Sequence, residues 1–195
     1  LSMSMYSEGR VDEALKLLEE LQAKGHKASA IDLNYIKWAT SSDIANAKKN
    51  FSDILENGGD DLDNFDYARL SGYIGDILFK EGKLDEASAV LEKGLKKENF
   101  NHEIAYRLGL IGIKQGNYEK ALTFLKKAVT HSNQKEINYY VAYAKAFRLN
   151  KQSDQALLQA KKAIDIDPNS TDAFLEKGMA ERDINSLQDA LTSFE

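Results

Sequence analysis

Apolar and aromatic residues recur along this chain at the spacing of helices. Tyr139, Tyr143 and Phe147 follow one another at four-residue intervals, which places them on one face of a helix. Acidic residues open many of these stretches and lysines close them, an arrangement that complements the helix dipole. The pattern predicts a short opening helix over 1–7, followed by helices over 11–24, 28–40, 43–57, 66–81, 84–98, 102–115, 118–131, 135–150, 153–166, 171–184 and 187–195.

One short motif, a turn residue followed by an acidic residue and an alanine, returns at a nearly constant interval. Residues 9–14 read Gly-Arg-Val-Asp-Glu-Ala and residues 82–87 read Gly-Lys-Leu-Asp-Glu-Ala. A constant period of this kind predicts a repeated structural unit. The interval from the second to the third copy is longer than the others and predicts an insertion, which we place in the acidic segment 62–67. The final alanines of the copies are Ala14, Ala47, Ala87, Ala121, Ala156 and Ala190.

The period and its small, aromatic and glycine positions resemble the tetratricopeptide repeat, a helix–turn–helix unit of about 34 residues. The resemblance implies an all-α fold, a right-handed α-α superhelix or solenoid of antiparallel helix pairs. It covers residues 1–195 as one continuous array, and the ends of the sequence lead us to expect a fragment of a longer protein. The predicted parts are a partial repeat 1–27, repeats 28–61, 68–101, 102–136 and 137–170, a partial repeat 171–195, and the insertion 62–67.

Two positions of the unit explain how its helices would pack. When the repeated alanine is numbered 20, position 8 of the preceding helix is small in five of six units. Small residues on both helices allow their axes to approach closely. Position 15, between the helices, is glycine in three units, and glycine takes the left-handed conformation that ends a helix. Lys151 departs from this pattern, and we expect Asn150 to serve in its place.

Composition narrows the classes of function. The 195 residues are 43% apolar and 29% charged, with a net charge of −5 and no cysteine. Absence of cysteine excludes disulfides and thiolate metal sites. An acidic chain is not typical of nucleic-acid binding, so we predict no nucleic-acid partner. No apolar run is long enough to cross a bilayer as a helix, so we predict no membrane contact from this segment. The cytoplasm and the periplasm both remain open as locations.

Catalytic and metal-binding motifs are absent from the sequence. There is no phosphate-binding loop, zinc-protease motif or nucleophile elbow. The acidic segment 56–66 lacks the alternating ligands and the glycine of a calcium loop, and His26, His102 and His131 are expected at helix ends. We therefore predict no catalytic residue, no cofactor, no metal site and no enzymatic activity.

Three kinds of function remain to be compared. The resemblance implies a noncatalytic scaffold that binds a protein, as an extended peptide or a partner helix, in a concave groove. An alternative is an accessory segment of a larger bacterial secretion, exopolysaccharide-export or enzyme assembly, with the activity elsewhere. An enzyme in its own right would need a catalytic site, and the sequence contains no motif that indicates one. We also expect self-association through exposed terminal repeats, where Leu187, Leu191 and Phe194 form an apolar strip.

The resemblance also implies where a partner binds. In the family, positions 2, 5, 9, 12 and 13 of each first helix chiefly line the concave face. Residues 102–195 carry 13 basic and 12 acidic side chains, whereas residues 1–101 carry 13 basic and 19 acidic ones. Lysines beside apolar residues predict a ligand with an acidic residue next to apolar anchors; solvated lysines are the alternative. The candidate partner-binding residues are Arg69, Tyr73, Lys80, Tyr106, Leu110, Ile113, Lys114, Val141, Lys145 and Arg148.

Overall fold

A computed structural model describes residues 2–26, 31–33, 35–37, 40, 49, 51, 53–54, 62–133 and 136–194. All regular secondary structure within these ranges is helical, which confirms the predicted all-α class. None of the helices in these ranges combines the length and hydropathy needed to cross a membrane. The helices whose ends are described are α1 Ser2–Ser7, α2 Val11–Ala23, α3 Asn64–Lys80, α4 Leu84–Lys97, α5 His102–Lys114, α6 Tyr118–His131, α7 Ile137–Leu149, α8 Ser153–Ile166, α9 Thr171–Asp183 and α10 Leu187–Phe194.

The helices pack as consecutive pairs within two compact units. The first unit is Leu1–Glu98 and the second is Asn99–Glu195. In the first unit α1 packs on α2 and α3 on α4; in the second, α5 packs on α6, α7 on α8, and α9 on α10. Short turns join the members of each pair, so they run antiparallel. These contacts confirm the predicted helix pairs.

A residue in the left-handed conformation ends the first helix of each pair. Gly82 and Gly116 have φ of 77° and 72°, values that glycine adopts without a steric cost. Asn185 has φ of 67° at the equivalent place. Our expectation for the α7–α8 turn was wrong: Lys151 itself has φ of 62°, whereas Asn150 has φ of −82°. The geometry of the repeated turn therefore outweighs the preference of lysine for negative φ.

Side-chain caps begin several helices, and one of them corrects a predicted boundary. The carboxylate of Asp63 accepts a hydrogen bond of 2.8 Å from the backbone N–H of Asp66, so α3 begins at Asn64 rather than at residue 66. Asx caps of this kind satisfy backbone donors that the helix leaves unpaired. The segment 62–67, predicted to lie between helices, therefore contributes its last four residues to the first turn of α3.

Small residues let the paired helices approach closely, as the sequence pattern predicts. A Cβ atom built on Gly109 of α5 would lie 2.5 Å from Cγ of Leu125 on α6. Gly75 and Gly178 meet Leu91 and Phe194 in the same way. Contacts this short exclude any side chain at position 8 of these pairs unless the facing residue moves.

The unit predicted at 28–61 falls largely outside the described residues. Residue 28, both ends of the predicted helix 43–57 and Ala47 are among the residues outside that description. Tyr35, the large residue at position 8 of this unit, is described. Its ring stacks on that of Tyr73 in α3, with centroids 4.0 Å apart and planes 18° from parallel. A large side chain at this position thus packs against the next first helix.

Candidate partner-binding face

Two of the three predicted residues in the first unit belong to an internal polar cluster. The guanidinium of Arg69 lies 2.6 Å from a carboxylate oxygen of Asp32 and 3.3 Å from that of Asp66. The hydroxyl of Tyr73 donates a hydrogen bond of 3.1 Å to the same Asp32 oxygen. Burial raises the pKa of Asp32, while Arg69 and Tyr73 act in the opposite direction. Arg69 and Tyr73 therefore join the segment around Asp32 to α3. Lys80 is exposed in the last turn of α3.

The other seven predicted residues lie in the second unit, on two adjacent first helices. Helix α7 packs against α5 on one side and against α9 on the other. On each helix the predicted positions are spaced by three or four residues and so share one face. The same register on α9 includes Leu175. We call this surface the first-helix face and define it by Tyr106, Leu110, Ile113, Lys114, Val141, Lys145 and Leu175.

Partly buried apolar side chains form the floor of the first-helix face. Tyr106 stacks on Tyr139, with ring centroids 4.4 Å apart, and burial raises the pKa of its hydroxyl. The hydroxyl of Tyr139 lies 3.0 Å from Nδ1 of His102. Leu110 and Ile113 pack on a buried cluster of α6 and α7 residues, Ala121, Leu125, Ala142 and Ala146. Val141 packs in the same manner toward α8 and α9. The floor is therefore anchored in the core and held in one arrangement.

Arg148 has a partner inside the protein. Its Nε lies 2.9 Å from Oε2 of Glu176 on α9, and a second nitrogen lies 3.4 Å from Oε1. The two side chains are only 13% and 8% exposed. A paired, nearly buried guanidinium holds α7 and α9 together, a role that the sequence interpretation did not include. The structure separates it from Lys114 and Lys145, whose side chains are exposed.

The sequence interpretation left Leu175 out of the candidate residues, although its register position was visible. Its side chain is 43% exposed in the second turn of α9. It also lines a pocket of about 600 Å³ between α9 and α10, together with Phe174 and Phe194. An exposed leucine beside two phenylalanines makes this end of the first-helix face its most accessible apolar part.

A polar network fixes α10 against α9. The ammonium of Lys177 lies 2.7 Å from a carboxylate oxygen of Glu181 and donates a hydrogen bond of 2.6 Å to Oγ of Ser193. The Ser193 hydroxyl in turn donates to the other oxygen of Glu181 at 2.6 Å. Glu181 and Ser193 are both buried. Each polar group is satisfied by the other two, so this network stabilises the helix pair.

The comparisons with known proteins agree with this architecture. A model of the tetratricopeptide repeat matches residues 73–136, and a PPR repeat model matches residues 3–26. The helix pairs and these matches define a helical-repeat protein. The repeat matched over 73–136 is of the tetratricopeptide type, which is typical of protein-interaction scaffolds.

Solved structures show the same fold. The chain is similar to MamA from Desulfovibrio magneticus RS-1, residues 41 to the end, with a TM-score of 0.75 and 19% identity over 86% of this chain and 91% of that chain. It is equally similar to a crystal structure of MamA protein, with a TM-score of 0.75 and 19% identity over 87% of this chain and 89% of that chain. No curated protein sequence matches the chain.

Proposed function

We propose that the chain is a noncatalytic scaffold that binds an extended segment or a helix of a partner protein on the first-helix face. The observation that carries this proposal is the row of accessible apolar side chains on adjacent first helices, ending at Leu175. Apolar anchors surrounded by polar side chains are typical of peptide-binding surfaces. The packed floor beneath them supports the proposal, because a surface held in one arrangement loses little entropy on binding.

A matched pair of substitutions tests the location of the site. Leu175 on α9 and Leu158 on α8 are similarly exposed, at 43% and 47%, but only Leu175 belongs to the first-helix face. A displayed peptide library would be selected on the complete chain, and the affinities of retained peptides measured. We expect Leu175→Asp to weaken binding by about tenfold or more, as loss of an anchor does, and Leu158→Asp to leave it unchanged.

Two outcomes would contradict the proposed site. Retention of no peptide by the complete chain would count against segment binding itself. Equal effects of the two substitutions would place the site on another surface. Circular dichroism of both variants controls for the helix content.

A second proposed activity is self-association through α10. The exposed side chains of Leu187, Leu191 and Phe194 share one face of this helix. An accessible apolar strip of this kind is typical of a protein–protein contact. Other copies of the same chain are always present in solution and can supply that contact.

A further inference from the structure

The charged side chains around the first-helix face fall into two groups. The first group consists of paired charges. Arg148 is bound to Glu176 by two nitrogen atoms, and Arg107 pairs with Glu103 at 3.4 Å one turn away on α5. Because each carboxylate of these pairs lies beside a guanidinium, the pairs add little net charge to the surface.

The second group lies toward the middle of the face and consists of two lysines. The ammonium groups of Lys114 and Lys145 are carried by exposed side chains on α5 and α7. Lys145 follows Val141 by one turn on the same face of α7. Asp172 on α9 carries an exposed carboxylate. Its position in the repeat comes seven residues before the position of Lys145, which corresponds to about 10 Å along the helix direction at 1.5 Å per residue. The middle of the face therefore combines positive charge with apolar side chains.

We propose that this face selects partner segments in which an aspartate or glutamate is flanked by aliphatic or aromatic residues. This inference rests on the proposed function and names its ligand. The carboxylate lies against the ammonium of Lys145, and the apolar side chains lie on Val141 and Leu175. An exposed ion pair of this kind contributes modestly to affinity and mainly to selectivity and the rate of encounter.

The side chains of the floor favour a protein segment over a nucleic acid as the ligand, although nucleic-acid phosphates are also anionic. Single-stranded nucleic acids are held by aromatic rings on which bases stack. The ring of Tyr106 already stacks on Tyr139, and the rest of the floor is aliphatic. Leu110, Ile113, Val141 and Leu175 match apolar side chains of a peptide better than the faces of bases.

The experiment uses peptides selected from the displayed library on the complete chain. We expect aspartate or glutamate to be enriched beside apolar residues. For a selected peptide, Lys145→Glu should weaken binding about tenfold at low salt, and this difference should shrink as salt rises. Lys145→Arg should change the affinity by less than about threefold, because the charge remains.

The matched control is Lys161→Glu, which makes the same change of charge at an exposed position on α8. It should leave the affinity within about twofold, since that lysine lies outside the face. A reciprocal exchange adds a readout that a folding defect would not give. Replacing the acidic residue of the peptide by lysine should restore binding to the Lys145→Glu variant.

The outcomes separate this inference from the proposed function. Selection of apolar peptides without acidic residues, still weakened by Leu175→Asp, would overturn the ligand chemistry and leave the binding face intact. Equal effects of Lys145→Glu and Lys161→Glu would also overturn it. Displacement of the peptide by a single-stranded RNA oligonucleotide at comparable concentration would overturn the inference and show that the face binds a nucleic acid. Failure to retain any peptide would contradict the proposed function itself.

Discussion

At the scale of single residues, the repeat depends on positions where a side chain of a given size fits. Gly109 and Gly72 are both helical glycines, yet their surroundings differ. A Cβ atom on Gly109 would lie 2.5 Å from Leu125, whereas one on Gly72 would meet no other part of the described residues within 4 Å. Helix propensity alone would favour alanine at both positions by about 1 kcal/mol. Steric contact therefore decides between the two sites.

Substitution of these two glycines tests the packing of α5 on α6. Gly109→Ala should lower the free energy of unfolding by about 1–3 kcal/mol, because Leu125 must leave its place. Gly72→Ala should be less destabilising, because the described residues leave room for its Cβ atom. Urea titrations of both variants give the comparison. Equal stabilities would show that the helices of the α5–α6 pair do not approach as closely as described.

At the scale of helices, long-range ion pairs join first helices to one another. Arg148 on α7 and Glu176 on α9 are 28 residues apart and nearly buried. Removal of one partner leaves a poorly solvated charge, whereas removal of both does not. The pair therefore affects stability mainly through the cost of breaking it.

A double-mutant cycle measures this effect. Arg148→Leu alone should lower the free energy of unfolding by about 3 kcal/mol, and Glu176→Leu by a similar amount. The double substitution should recover most of the loss, because two apolar side chains replace the pair. Additive losses in chemical denaturation would show that the two side chains do not interact.

The helices were largely predictable from the sequence because their signals are local and repeated. The predicted helices 118–131 and 153–166 agree with α6 and α8 at both ends. The alanine register also predicted a small residue, Gly109, where α5 approaches α6 closely. Asn150 was wrongly expected to take the left-handed conformation after α7, since a residue preference is weaker than the turn geometry that all pairs share.

The candidate site was less predictable than the helices. Register positions placed Val141 and Lys145 on one face of a helix, but they gave no information on which charges pair inside the protein. The partners of Arg69 and Arg148 lie 37 and 28 residues away, beyond any periodic pattern. Which charges form such pairs depends on how the helices pack in three dimensions. The sequence interpretation lacked this information and therefore grouped Arg148 with the exposed lysines.

At the scale of the whole molecule, the apolar strip on α10 has counterparts that are covered. Leu125 of α6 occupies the position of Phe194 and is buried against Ala142 and Ala146 of α7. On α10 the side chain of Phe194 is 49% exposed, and those of Leu187 and Leu191 on the same strip are 62% and 53% exposed. A helix of first-helix type is what covers this position elsewhere in the second unit. A second copy of the chain carries such helices.

Light scattering tests self-association over a range of concentrations. The wild-type chain should increase in mean mass as concentration rises, and Leu187→Glu combined with Leu191→Glu should remain monomeric, because charge removes the apolar strip. Leu158→Glu on α8 serves as the control for an added charge at an exposed leucine. A wild-type chain that stays monomeric at all concentrations would contradict the expectation.

The packing of each helix on its immediate neighbours has a consequence for how the second unit folds. Helices α5 to α10 make their main contacts with the next helix or the next but one. Such contacts close only short stretches of chain, so little loop entropy is lost before each contact forms. Proteins dominated by local contacts fold quickly, commonly within microseconds to milliseconds. Folding can begin at any helix pair and spread along the chain. The rates of amide hydrogen exchange at one end of the unit therefore need not match those at the other end.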